Sequence, residues 1–318
     1  MSVGAGTAAF WHFWNLRERA RLHKEAGGPP PDDSVVKRWR FCNVYRDLDR
    51  GTKWFAARRG AGLQQVLWRS LTYRTVNRLE TFEAADAEGA ATWWQEPEAA
   101  GRWLEWLAGR VRAGAPVFGG RHCTRGLPRL RETLPAARSR LGKLVARLTA
   151  STSTCPTCKN HRNVEHWCDG ALRHVGVQGN LKFACAVLKE LPHVGDFYAW
   201  QVARDLVEAG ELPEDESWAL PGAGARRGAT LVRSGDEGFT GRGAAATAAT
   251  ALQVMRALRD GQDEAAALGL DRSRWHRVPV TLADVEHALC EFSRYEALRT
   301  AGPGRVRCEA YRPFAEVP

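Results

Sequence analysis

Leu191-Pro192-His193-Val194-Gly195 separates two stretches of helical periodicity. Upstream, Leu181, Ala184, Cys185, Leu188 and Leu191 recur at helical spacing, with Phe183 and Val187 widening the apolar face. Downstream, Phe197, Ala199, Trp200, Val202, Ala203 and Leu206 repeat the pattern up to Gly210, a C-terminal stop. Pro192 ends the first helix. Gly195 allows a positive φ or a close backbone approach, and Asp196 can cap the second helix and complement its dipole. A helix that starts this way turns backbone N–H groups outward, which suits a phosphate. An ordinary αα-hairpin in an all-helical protein fits the same five residues equally well.

Composition narrows the classes. The chain has 318 residues, enough for one large domain or two small ones. Apolar residues make up 44% and charged ones 26%, as in a soluble globular protein. The formal net charge is +10, and of the 46 basic residues only seven are Lys. Guanidinium forks pair with phosphates and stack on bases, so a nucleic-acid partner is favoured. A GC-rich genome would explain the Arg excess over Lys, but not the net charge. Thirteen Trp can fill a core or stack on unstacked bases. No run of eighteen apolar residues exists, which argues against a membrane span. No basic and apolar leader opens the chain, so the expected location is intracellular, in nucleus or cytoplasm. The eight Cys are mostly scattered and are expected to be reduced there.

Helical periodicity also marks residues 10–25, 62–79, 92–113, 127–149, 245–260 and 281–299. The Trp-rich stripe of 92–113 (Trp93, Trp94, Trp103, Trp106) reads as core. The Arg- and Leu-rich 127–149 reads as a basic amphipathic helix, or as a solvated outer face. At helical spacing, Phe41, Val44, Tyr45 and Leu48 form one apolar face, and Asn43, Arg46, Asp47, Arg50 and Lys53 fall on another. Mixed charge of this kind is either a self-paired surface or a site.

Residues 151–170, STSTCPTCKNHRNVEHWCDG, are a polar insert. Cys155-x-x-Cys158 is a knuckle pair, with His161, His166 and Cys168 close behind and His122-Cys123 as distant candidates. Thiolates and imidazoles at such spacing suit a structural zinc. A loop with free thiols is the competing reading, because the second half matches no standard spacing. No other cofactor is expected.

The hairpin resembles that of the helix-hairpin-helix DNA glycosylase superfamily. The run RFCNVYRDLDRGTKW, preceded by RERARLHKEAGGPPPDDSVVKRW, resembles the N-terminal signature of the 5-hydroxymethyl-deoxyuridine DNA kinase helical domain. That domain is related to alpha-glutamyl/putrescinyl thymine pyrophosphorylases of thymine-hypermodification pathways. LPHVGDFYAWQVARDL, WALPGAGARRGATL and VEHALCEFSRYEALR are similar to later segments of the same family, in the same order. The second departs from the family's Gly-Pro-Gly-Ala turn as Leu220-Pro221-Gly222-Ala223-Gly224.

The resemblance implies an all-α, helix-hairpin-helix glycosylase-like fold: a single helical domain over residues 10–313, with 1–9 and 314–318 as tails. It implies DNA carrying modified thymine as the partner. It also implies Pro192, His193, Val194, Gly195, Arg226 and Arg227 as phosphate contacts. Glycosylases of this superfamily flip the target base and use an Asp shortly after the hairpin, which here falls on Asp215, flanked by Glu214 and Glu216. The position of the lyase Lys is occupied by Phe197, so Schiff-base chemistry is not expected. Asn43, Arg46, Asp47, Asp49 and Arg50, with Cys290, Glu291, Arg294 and Tyr295 on the last helix, form a second candidate constellation. Buried ion pairs that merely hold helices together compete with that reading. No Gly-x-x-x-x-Gly-Lys-[Ser/Thr] occurs, so the chain is not expected to phosphorylate DNA itself. Two functions remain open. One is an enzyme that excises a modified pyrimidine or substitutes at its 5-methylene carbon. The other is a non-catalytic DNA-binding module that brings a separate kinase or transferase.

Overall fold

The computed structural model describes residues 5–27, 31–119, 126–150, 165–168, 171–174, 181–235 and 245–301. The helices run α1 Ala5–Ala26, α2 Ser34–Arg38, α3 Arg50–Ala56, α4 Leu63–Val76, α5 Leu79–Ala87, α6 Ala91–Gln95, α7 Ala100–Arg112 and α8 Leu127–Ala150. They continue as α9 Leu181–Leu188, α10 Asp196–Glu208, α11 Ala223–Ser234, α12 Ala248–Asp260, α13 Glu264–Ala267 and α14 Leu282–Ala301. The fold is therefore helical, as expected. Among the described residues the strands are β1 Glu165–Cys168 and β2 Ala171–His174, an antiparallel pair in which Glu165 faces His174 and Cys168 faces Ala171. No described helix is long and apolar enough to cross a membrane.

The chain divides into two compact units, one of Met1–Asp49 with Glu216–Pro318 and one of Arg50–Asp215. In the first, α11 packs along α14, and α1 lies against both. Gly224, read as part of a turn, lies within α11 as Gly228 does, both facing α14: a Cβ on Gly228 would fall on the Leu289 carbonyl, and one on Gly224 on Cys290 Sγ. Phe10, Trp11, Phe13, Trp14 and Phe292 are fully or almost fully buried and fill the space beside this contact. In the second unit α10 packs on α4 and α9, and α8 on α4, α7 and α9. Its core stacks Trp54, Tyr73, Phe82, Trp94 and Trp103 with ring centroids 5.1–5.7 Å apart. Of the Trp stripe, Trp94 and Trp103 are core as the spacing suggested, whereas Trp93 and Trp106 are half-buried.

Three helical expectations need correction. Residues 92–113 are not one helix: α6 ends at Gln95, and Pro97 opens a 3-10 turn before α7. Residues 62–79 break at Asn77, whose left-handed backbone (φ 46°) caps α4. Most consequentially, Phe41–Leu48 is no helix: Cys42 and Asn43 have no regular secondary structure and Arg46–Leu48 is a single 3-10 turn. The reason is competition for backbone groups. Arg17 donates to the carbonyls of Phe41 (3.1 Å) and Cys42 (3.2 Å). The Cys42 and Asn43 N–H groups donate to Glu291 Oε2 (3.1 Å) and Asp49 Oδ1 (2.8 Å). Groups that a helix would satisfy internally are claimed by side chains instead.

Candidate functional site

The irregular segment Phe41–Asp49 is the centre of the first unit's candidate site. Phe41 is buried, with the Arg294 guanidinium 4.5 Å from its ring centroid. Arg294 also donates to Glu291 Oε2 at 2.8 Å, the oxygen that accepts from Cys42. Asn43 closes the loop by donating from Nδ2 to the Leu48 carbonyl at 2.8 Å. Each of the two loop carboxylates then meets an imidazole. Asp47 Oδ2 lies 3.1 Å from His276 Nε2, and its Oδ1 accepts from Arg277 at 2.8 Å. Asp49 Oδ2 lies 3.1 Å from His287 Nε2. Arg277 in turn grips Asp284 with two 2.8 Å bonds, and Asp284 accepts from the Thr281 N–H at 3.0 Å at the start of α14. Arg46 is buried.

Burial alone would lower the His287 pKa, but the hydrogen bond and charge of Asp49 outweigh it and hold the imidazole above its usual value. Cys42 lies at an exposed position, yet atoms packed around its thiol and the charges of Asp49 and Glu291 push it well up, against the opposing charge of Arg294. At neutral pH it is therefore a thiol rather than a thiolate nucleophile. An imidazole held against a carboxylate can take up or deliver a proton. The same two groups with a thiol beside them are also a donor set for a soft cation, and the donor atoms of Cys42, Asp49 and His287 lie within 4.8 Å of one another. The cavity lined by Glu216, Arg256, Arg259, Gln262, Val278 and Thr281 includes none of the three.

The other expected residues are distributed as follows. Arg50 does not share a helix face with Asn43, Arg46 and Asp47. It opens α3 and pairs with Glu83 at 2.9 Å. Glu291, Arg294 and Tyr295 brace the segment: Tyr295 donates to Asp33 Oδ2 at 2.9 Å and its ring lies 6.2 Å from Phe41. Cys290 packs under Gly224, where burial, followed by the Glu291 and Glu286 charges, raises its thiol pKa. Arg226 donates from Nε to the Ala246 carbonyl at 2.7 Å, and Arg227 is exposed. Asp215 lies on the loop after α10; its neighbours Glu214 and Glu216 pair with Arg204 and Arg259. Cys155, Cys158 and His161 lie outside the described residues. His166 and Cys168 lie on β1, where the backbone alone is described.

In the second unit the link between α9 and α10 is tight. The positive φ expected at Gly195 falls on His193 (63°), while Gly195 has φ −88° and ψ −175°. A Cβ on Gly195 would meet nothing within 4 Å, which leaves its surface open to an approaching group. Asp196 is not the cap. Gly195 holds that place, and Asp196 lies in the first turn with its carboxylate 2.6 Å from Lys189 Nζ. The Pro192 carbonyl accepts from Thr133 of α8 at 2.9 Å, and His193 lies 2.8 Å from Glu132. α8 thus runs beside the link, exposing Arg129, Arg131, Arg138 and Lys143.

With both units described, comparison with known proteins adds one decisive result. The family described as 5-hmdU DNA kinase, helical domain, matches residues 5–303. The chain belongs to that family. No curated protein and no solved structure matches it. Membership in the 5-hmdU DNA kinase helical domain family ties the chain to DNA modification centred on 5-hydroxymethyluracil, and points to DNA as its partner. The match takes in both the Phe41–Asp49 segment and α14, the two stretches that meet at Asp49 and His287.

Reading single segments missed His276, Arg277, Asp284 and His287. The signal was present for one of them: on α14, His287, Glu291 and Arg294 stand at i, i+4 and i+7, one helix face. Nothing local in the sequence marked Asp47 and Asp49 as their partners, 229 to 238 residues away.

Proposed function

We propose that this chain binds DNA carrying a 5-hydroxymethyluracil-type base and alters that base. The supporting observation is the Asp49–His287 pair with the Cys42 thiol beside it, built on two segments of the family match. A surface that only docks on DNA does not require an imidazole, a carboxylate and a thiol gathered within 4.8 Å. Asn43 positions Asp49 by its backbone N–H, and Arg46 and Asp47 frame the same loop. Asp215 is the candidate carboxylate for base excision, whereas the Asp49–His287 centre suits chemistry at the 5-methylene substituent.

Binding is assigned to the phosphates. The backbone from Pro192 to Gly195 leads into the N-terminus of α10, and the exposed Arg129, Arg131, Arg138 and Lys143 of α8 flank it. The alternative is a non-catalytic glycosylase-like module that brings a separate kinase or transferase to modified DNA. It is supported by the α8–α10 surface alone.

The test is mass spectrometry of duplex oligonucleotides whose central base is thymine, uracil, hydroxymethyluracil or phosphorylated hydroxymethyluracil. A changed 5-substituent that is lost in His287→Ala is the expected result. An abasic product lost in Asp215→Asn would move the chemistry to excision. Unchanged masses with retained gel-shift binding would overturn the catalytic reading in favour of the recruiting module.

A further inference from the structure

Cys42, Asp49 and His287 bring a thiol, a carboxylate and an imidazole together, and among the described residues no other group of three such side chains brings its donor atoms this close. Thiolate sulfur and imidazole nitrogen with a carboxylate oxygen are the ligand types of zinc. Ligands bound at about 2.0–2.3 Å in tetrahedral geometry stand about 3.3–3.7 Å apart. His287 Nε2 and Asp49 Oδ2, at 3.1 Å, already lie close to that separation.

The surroundings hold these donors in place. The Asn43 N–H occupies Asp49 Oδ1 and leaves Oδ2 turned to His287. The Cys42 N–H is anchored on Glu291, itself held by Arg294, and His287 is carried on the long helix α14. Supporting bonds of this kind orient ligands and raise affinity. Arg46 and Arg294 bring positive charge near the cluster. Asp49 and Glu291 offset them, and zinc binding would release the Cys42 proton, the resulting thiolate offsetting part of the metal's charge. The set supplies three protein ligands, and Cys42 lies at an exposed position, which leaves a fourth position open to water or substrate.

We propose that Cys42, Asp49 and His287 form a zinc site with one open coordination position. The site goes beyond the DNA reading, since its metal is measured without any DNA. It uses no residue of the 151–170 insert.

The test uses the full chain with Cys155→Ser and Cys158→Ser, so that those thiols cannot contribute. Titration with Co²⁺ is expected to saturate at one equivalent with a thiolate-to-cobalt charge-transfer band in the near ultraviolet, bleached by Zn²⁺. Cys42→Ser should abolish the band. Asp49→Asn and His287→Ala should weaken binding at least about tenfold, and Glu291→Ala should weaken it about tenfold through loss of the Cys42 anchor. Each variant's circular dichroism is compared with the parent's to separate ligand loss from unfolding. The absence of a thiolate band in the parent, or its persistence in Cys42→Ser, would overturn the site. Base alteration by a protein that shows no thiolate band would leave the proposed function standing and remove the zinc, and the band in a protein that alters no base would do the reverse.

Discussion

Glu291 Oε2 accepts from the Cys42 backbone N–H at 3.1 Å and from the Arg294 guanidinium at 2.8 Å. One carboxylate oxygen thereby fastens the irregular Phe41–Asp49 segment to α14. Glu291 is buried, so its removal deprives a backbone donor and Arg294 of their shared acceptor. Glu291→Ala should cost about 1–3 kcal/mol, read as a lower urea midpoint at unchanged slope. Glu291→Gln, which keeps an oxygen acceptor, should cost less. Equal losses for the two would mean that the anchor is not what Glu291 supplies.

The α11–α14 contact makes a graded prediction. A methyl on Gly228 would meet the Leu289 carbonyl, part of a helix backbone that cannot turn away. A methyl on Gly224 would meet Cys290 Sγ, a side-chain atom with a rotamer to change. Gly228→Ala should therefore destabilise by about 1–3 kcal/mol as overpacking, and Gly224→Ala by less. Denaturant unfolding of the two variants decides it, and the reverse order would contradict this packing.

Both outcomes bear on how much the sequence disclosed. The α9–α10 link, the basic α8 and the aromatic core were legible because each depends on residues a few positions apart. Gly224 was read as part of a turn from the family resemblance, and the packing of Gly224 and Gly228 against α14 has no local mark. Phe41–Leu48 carried a helical apolar spacing, yet four hydrogen bonds from Arg17, Glu291 and Asp49 override it. Three of the four come from residues 24 to 249 positions away, beyond any window of periodicity. The same long-range closure hid His287, since its partner Asp49 becomes visible as such when α14 is folded against the segment.

The second unit is pinned by Asp205, which is buried and accepts from Arg74 at 2.5 and 2.8 Å and from Ser70 at 2.5 Å. Breaking such a pair leaves a buried guanidinium without its carboxylate. Asp205→Asn should cost about 3–5 kcal/mol, and replacing both partners by apolar residues of similar volume should cost less than the single change. Ser70→Ala should cost about 1 kcal/mol. Thermal and urea unfolding of the three variants measures the set. A single change no worse than the double would show that the pair does not carry this contribution.

Burial pushes the Cys185 thiol up to about 12, the charge of Asp196 adding to it and Lys189 opposing. In the unfolded chain the thiol titrates near about 8.5. The folded value is raised, so the stability from keeping this thiol protonated is complete below about pH 8.5. It is lost progressively as pH rises towards about 12. The urea midpoint should fall over that window, and less steeply in Cys185→Ala. Iodoacetamide at pH 8 should leave Cys185 unmodified in the native protein, as mapped by peptide mass spectrometry. Rapid labelling under those conditions would place the residue at the surface.

The last prediction concerns the grip on DNA. Arg138 and Lys143 are exposed on α8, whereas Arg147 is ion-paired with Glu190. If α8 follows a DNA backbone beside the α9–α10 link, each free cation releases about one counterion on binding. Arg138→Gln and Lys143→Gln should each weaken binding and flatten the plot of log affinity against log salt by about one unit. They should do so equally on thymine and hydroxymethyluracil duplexes, because phosphates carry no base identity. Arg147→Gln should change the slope less, its charge being engaged by Glu190 in the unbound protein. Fluorescence anisotropy across a salt series measures all three. An unchanged slope for both Arg138→Gln and Lys143→Gln would remove α8 from the interface and leave the α10 N-terminus as the candidate phosphate contact.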